Sequence, residues 1–169
     1  MSKILAGCLW LVVGSLEQCS EGRKKVPSSA RDTIEIFIAR TACYGRCPID
    51  EVELTADGTV RYYGKRFVPR LGRYTRQLSE KELEEIRHLL IQSQFESYQE
   101  EYDNPYVTDL PSLILQYRIG STSKRILCRM GCPPELPQKI EKLRSLLAEQ
   151  GNFQMVEGSP SENGKSDAE

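Results

Sequence analysis

The stretch Thr41–Gly64, TACYGRCPIDEVELTADGTVRYYG, decides how the chain is read. Cys43 and Cys47 lie four positions apart, and Pro48 follows at once. Val52 and Leu54 then alternate with Glu51 and Glu53. Asp57-Gly58 offers the positive-φ residues of a tight hairpin, and Val60 and Tyr62 continue on the return strand. In extended chain, residues four apart are separated by roughly 13 Å, whereas a turn brings them to about 6 Å. A disulfide needs Cα atoms about 4.4–6.8 Å apart, so the pair closes only if the chain turns inside it. Gly45 makes that turn easy.

Working outward, Ile34, Ile36 and Ile38 alternate with Glu35, Phe37 and Ala39, a strand with one strongly apolar face. Ser79-Glu80-Lys81-Glu82 is a capping box, and Leu83, Ile86 and Leu90 follow at helical spacing. SLILQYRIG and SKRILCRM read as a second hairpin around Gly120-Ser121-Thr122. A second helix starts near Pro134, with Leu136, Ile140, Leu143 and Leu147 along one stripe. The order strands, helix, strands, helix predicts an α+β fold: an antiparallel sheet of hairpins with both helices packed on one face, which buries both stripes at once.

The chain of 169 residues is most simply one domain with tails. Lys3 and the apolar run Ile4–Leu16 are too short to span a bilayer, which takes roughly 20 residues, and fit the core of a secretory signal. Val13-Gly14-Ser15 supplies small residues for cleavage. A lipoprotein signal is the alternative, with Cys19 as the acylated residue, although Gln18 is larger than such a site wants. Leu5-Ala6-Gly7-Cys8 fits that pattern better but has almost no apolar segment ahead of it. A buried amino-terminal helix or strand is the rival reading of the same run, and the order of charge, apolar run and cleavage residues favours export over it. The expected division is a signal at 1–19, a linker at 20–31, one body at 32–150 and a disordered tail at 151–169. The expected location is outside the cytoplasm, in the periplasm or anchored in the envelope.

Lys and Arg number 23 against 24 Asp and Glu, a net charge of −1, so nothing electrostatic calls for nucleic acid or an anionic membrane surface. Membrane contact is expected only through a signal or lipid anchor. His88 is the single histidine, which removes most histidine-based catalytic and metal arrangements. It falls off the Leu83/Ile86/Leu90 stripe, as a solvated helix residue does.

Cys128 and Cys132 repeat the first pair's spacing, with Gly131 inside and Pro133 after. Disulfides are the favoured reading in an oxidising compartment, either closing each pair or joining the two pairs to each other; spacing does not choose among the connectivities. The first rival is a metal site made of Cys43, Cys47, Cys128 and Cys132, against which stands a separation of about eighty residues where compact sites keep pairs within about twenty. The second is thiol redox chemistry, since Cys132 precedes a helix whose amino terminus favours the thiolate. No cofactor is expected.

The segment TACYGRCPIDEVELTADGTVRYYGKRFV resembles the opening of a bacterial family known as domain of unknown function 6438. The resemblance rests on Cys43, Tyr44, Gly45, Cys47 and Pro48, then on Asp57, Gly58, Thr59, Val60, Tyr63 and Gly64. Thr108-Asp109-Leu110-Pro111-Ser112 is similar to a second recurrent element, and the likeness spans about residues 33–148. Asp50 departs from it, standing where an aromatic is usual, and Cys128 and Cys132 lie outside its pattern. Membership implies signal-bearing or lipoprotein-like envelope proteins and brings no activity, cofactor or catalytic residue with it.

Two further clusters are legible. Asp103 and Asp109, with Asn104, sit on a loop that suits paired-carboxylate chemistry, as in a hydrolase, or part of a calcium site. With no EF-hand spacing, plain turn capping before Pro105 and Pro111 is the favoured reading. Arg61, Lys65, Arg66, Arg70, Arg73 and Arg76 interleave with Tyr62, Tyr63, Phe67 and Tyr74, which reads as an anionic-ligand patch or as a half-exposed strand. No phosphate loop, serine nucleophile elbow or zinc-protease motif is present. The expected function is therefore a non-enzymatic envelope domain that binds a protein or a glycan. A metal or thiol-redox protein is the alternative.

Overall fold

The structure, a computed structural model, describes residues 33–156. The expected signal, the linker and the lipidation candidate Cys19 lie outside the described residues, as does the tail beyond Val156. The elements follow in the order β1 (Ile34–Arg40), β2 (Ile49–Leu54), β3 (Thr59–Arg66), β4 (Gly72–Gln77), α1 (Glu80–Ser93), β5 (Glu101–Tyr102), β6 (Leu113–Ile119), β7 (Thr122–Cys128), α2 (Glu135–Ala148) and β8 (Gln154–Met155). A single 3-10 turn, Phe95–Ser97, follows α1. The fold is α+β, as its pattern predicts.

The eight strands form one sheet in the order β5-β7-β6-β1-β2-β3-β4-β8, antiparallel throughout except where β5 runs parallel to β7. β1 is the joint between the halves: it pairs with β2 through Ile38↔Val52 and with β6 through Ile38↔Leu115. Isoleucines at 34, 36 and 38 make one face of β1 apolar up to Arg40, so a central place buries the most surface. Ile34, Ile36, Ile38, Val52, Leu54, Val60, Leu115 and Ile126 all point to the helix side and are buried. Leu136, Ile140, Leu143 and Leu147 of α2 have no exposed surface at all, and Ile86 and Leu90 of α1 join them. Each such side chain contributes roughly 1.5–3 kcal/mol relative to solvent. The opposite face of the sheet carries Glu35, Phe37, Glu51, Glu53, Arg61 and Tyr63 and has no layer over it among the described residues.

Local chemistry sets the boundaries. Ser79 caps α1 by accepting from the Glu82 N–H, while Glu82 accepts from the Ser79 N–H at 2.8 Å. That backbone bond, joined by the Arg76 guanidinium, holds the Glu82 carboxyl down at about 2. At the β2–β3 turn only Gly58 takes a positive φ, of 80°. Asp57 serves instead as an acceptor, from the Thr55 hydroxyl and the Thr59 N–H. Within the stretch expected as a tail, Gln154 and Met155 form β8, which pairs with β4 through Tyr74↔Met155 and Thr75↔Gln154. The stretch Arg61–Arg76 is two strands rather than one, with β3 and β4 joined through Phe67–Leu71.

Candidate functional site: a disulfide-clipped rim above an arginine–aspartate cluster

One end of the sheet gathers most of the residues singled out in the sequence. β1 ends there, β2 and β6 begin there, and β7 ends there before the chain enters α2. Cys43 is bonded to Cys47 and Cys128 to Cys132, each with a Cα separation of 5.8 Å. Each pair thus closes its own turn, helped by Gly45 at φ 142° and Gly131 at φ 76°. The two loops stand two strands apart in the sheet, since Leu113 pairs with both Arg40 and Cys128. With their sulfurs bonded pairwise, the four cysteines present no thiolates, and no cluster of metal-ligating side chains occurs among the described residues.

Backbone bonds tie the loops of this rim together. The Thr41 N–H donates to the Ser112 carbonyl at 2.9 Å, and the Ser112 N–H donates back to the Thr41 hydroxyl at 2.7 Å. The Tyr44 N–H donates to the Asp109 carbonyl at 3.2 Å, so both segments that carried the family resemblance meet here. Further along, Arg129 donates to the Asp103 carboxylate and to the Asn104 carbonyl, and the Arg129 and Met130 N–H groups both donate to Tyr102. Asn104 closes the intervening turn by accepting from the Tyr106 N–H at 3.0 Å. On this braced frame Tyr44 is 91% exposed and Tyr106 94% exposed, with Leu110 and Met130 also open to solvent.

The carboxylates expected as a catalytic pair serve other ends. Asp103 is consumed by Arg129, while Asp109 is exposed and accepts from its neighbour Thr108. His88 is exposed on α1 and meets only Gln92. The basic stretch is split by the strand period. Arg61 and Lys65 face the open side and pair with Glu53 and Glu51. Arg76 points to the helix side, where it meets Glu82 at 2.6 Å and the Leu146 carbonyl at 2.9 Å. No single-sided anionic-ligand patch results.

Below the rim lies a cluster that the sequence reading passed over. Asp50 is only 2% exposed and sits on the helix side of β2, in line with Val52 and Leu54. Arg40 grips it with two bonds, Nε to Oδ1 at 2.7 Å and Nη2 to Oδ2 at 2.5 Å. Arg144 of α2 and the Tyr62 hydroxyl each reach Oδ2 at 3.3 Å. Arg144 also donates to Glu141 at 2.6 Å and Glu149 at 2.5 Å. Burial disfavours the Arg144 charge, yet Glu141, Asp50 and Glu149 outweigh it and hold its pKa above the ordinary value. Burial, then the Asp50 charge and hydrogen bond, push the Tyr62 hydroxyl up to about 12, so it stays a donor. A register shift between Ile49 and Asp50 turns this strand end inward just after Pro48.

A polar signal for this cluster was present: Arg40 is two residues beyond Ile38, Asp50 two before Val52, and Arg144 four beyond Ile140. All three fall on apolar faces, where an unpaired charge is costly.

The fold and site define a disulfide-clipped α+β domain, with one face of its sheet open and its loops braced at one end. The chain belongs to the family described as domain of unknown function (DUF6438), whose model matches residues 34–147. No curated protein matches it.

Proposed function

We propose that this is an exported, non-enzymatic envelope domain that recognises a protein partner through its disulfide-clipped rim. One observation carries the reading: Tyr44 and Tyr106 project almost fully into solvent from loops that disulfides and backbone bonds hold in place. Large amphipathic rings on a pre-ordered frame are what binding surfaces use, because little conformational freedom is lost when they are covered. Leu110 and Met130 extend the apolar part of the surface. Two disulfides suit an oxidising compartment, and the basic start followed by an apolar run at Ile4–Leu16 suits export. Among the described residues no helix is long and apolar enough to cross a membrane. A glycan is the less favoured ligand, since of the two rim aspartates Asp103 is already held by Arg129 and Asp109 stands by itself in solvent beside Thr108.

The test is site-specific photo-crosslinking in intact cells, with a benzophenone amino acid at position 44, 106 or 88. Adducts at 44 and 106, absent at 88, support a protein partner at the rim. Equal yield at all three positions, or none at 44 and 106, would overturn it. Binding of soluble peptidoglycan fragments lost on Tyr44→Ser would transfer the surface to a glycan.

A further inference from the structure

We propose that a second site, the cavity beneath the β3–β4 loop, binds a small organic monoanion, a carboxylate on an apolar body, with Arg70 as its counter-ion. The cavity encloses about 300 Å³ beside the Asp50 cluster. Its polar wall is Arg40, Asp50, Tyr62, Arg70, Arg144 and Glu149. Pro48, Phe67, Val68, Pro69 and Ala148 supply the apolar remainder. Six of its eleven lining residues are polar, yet most of the exposed wall area is apolar, as in a small-molecule site whose polar groups are few points on an apolar wall.

The three arginines are not equivalent. Arg40 and Arg144 are neutralised by Asp50, Glu141 and Glu149. Arg70 meets no carboxylate among the described residues. Among the described residues its single polar contact is with a neutral group, Nη1 to the Ala148 carbonyl at 3.0 Å. The guanidinium is held instead by rings, 4.5 Å from the centroid of Phe153, 5.4 Å from Tyr74 and 5.7 Å from Tyr62. Contacts with ring faces use none of the guanidinium N–H groups as conventional donors, and a carboxylate is the planar acceptor that fits such a fork. Gly64 sets the placement, because a Cβ there would come 1.8 Å from the Arg70 carbonyl. Only glycine lets the loop fold back this closely.

A third observation comes from the loop itself. Phe67, with φ 53°, holds a left-handed conformation that bulky residues avoid, and the residue is 40% exposed at the cavity wall. Such strain in a ligand-facing loop is retained where it serves a site. The ring lies 5.5 Å from the Arg46 guanidinium and 5.0 Å from that of Arg66, which keeps it at the mouth.

The test is solution NMR of the folded, oxidised protein titrated with sodium benzoate, and with benzamide as the uncharged isostere. Benzoate is expected to shift the Arg70 Nε–H, Tyr62 and Phe67 signals saturably, with benzamide at least tenfold weaker. Arg70→Gln should abolish the benzoate shifts. Because Arg70 also meets the end of α2, Pro69→Glu is the second variant: it sets a repelling charge at an exposed wall position and should weaken benzoate about tenfold in an unchanged fold. Equal shifts from benzoate and benzamide, no saturable shift with either, or full competition by chloride would each overturn the proposal.

Discussion

Asp50 shows what one buried carboxylate demands of its surroundings. Three side chains from three elements converge on it at the register shift of its own strand: Arg40 from β1, Tyr62 from β3 and Arg144 from α2. Removing one member of such a cluster leaves the others buried and uncompensated, at about 3–5 kcal/mol, whereas replacing the whole set by apolar side chains is often neutral. Asp50→Ala is therefore expected to lower unfolding free energy in urea by about 3–5 kcal/mol, and Arg40→Met/Asp50→Leu/Arg144→Met to recover most of that loss. If the triple variant were no more stable than the single one, the ion cluster would be a net source of stability. Tyr62 adds a pH signature. Its folded-state pKa is raised from 10.0 to about 12, so its contribution is complete below pH 10 and is lost as pH climbs toward 12. Chemical denaturation across that window should show a shallower alkaline decline for Tyr62→Phe than for the parent chain. The three charges could be placed on apolar faces from the periods of two and 3.6 alone. Their pairing could not, because Asp50 and Arg144 are 94 positions apart and nothing local relates them.

At the scale of elements, the two disulfides look alike in sequence and differ in setting. Cys43 and Cys47 close a loop that stands in solvent, with Tyr44, Gly45 and Arg46 all exposed. Cys128 is the last residue of β7, 5% exposed and packed in the core, and Cys132 packs against the core just before α2. Closing so short a loop is worth roughly 2 kcal/mol in either case by chain entropy. Cys128→Ala/Cys132→Ala also gives up buried sulfur contacts, adding about 1 kcal/mol. Urea denaturation should thus rank that pair as the more destabilising, and equal losses would mean that the burial of Cys128 contributes nothing. The elements with strong periodicity, β1, α1, the β6–β7 hairpin and α2, were legible because each carries an uninterrupted apolar stripe and a turn or cap signal. β4 was not, since GRYTRQ offers only Tyr74 as an apolar residue and Arg76 takes the inward position. β5 and β8 are two residues each and exist only through their partners.

Over the whole molecule, the sheet is a single surface whose two ends must be protected from pairing with other chains. Both are closed the same way, by a two-residue strand: β5 along β7, and β8 along β4. Neither is predictable from propensity, because a strand of two residues has no period to detect. Their reason is visible only once β6 has joined β1 and set β7 and β4 at the outside. The β4 side has a second fastening. Phe153 stacks on Arg70 at 4.5 Å and Arg76 at 5.4 Å and meets Tyr62 edge-on, so it links the end of α2 to the sheet. These two contributions separate in an experiment. Phe153→Ala removes the ring contacts and keeps β8, and is expected to cost about 3 kcal/mol with the association state of the parent chain unchanged. Ending the chain at Gln150 removes β8 as well, leaving the β4 N–H and C=O groups unpaired toward solvent. That variant should lose comparable stability and also self-associate with rising concentration, as read by sedimentation velocity. A monomeric truncated chain would show that β4 needs no cover, its exposed Arg73 then being enough to keep other strands away.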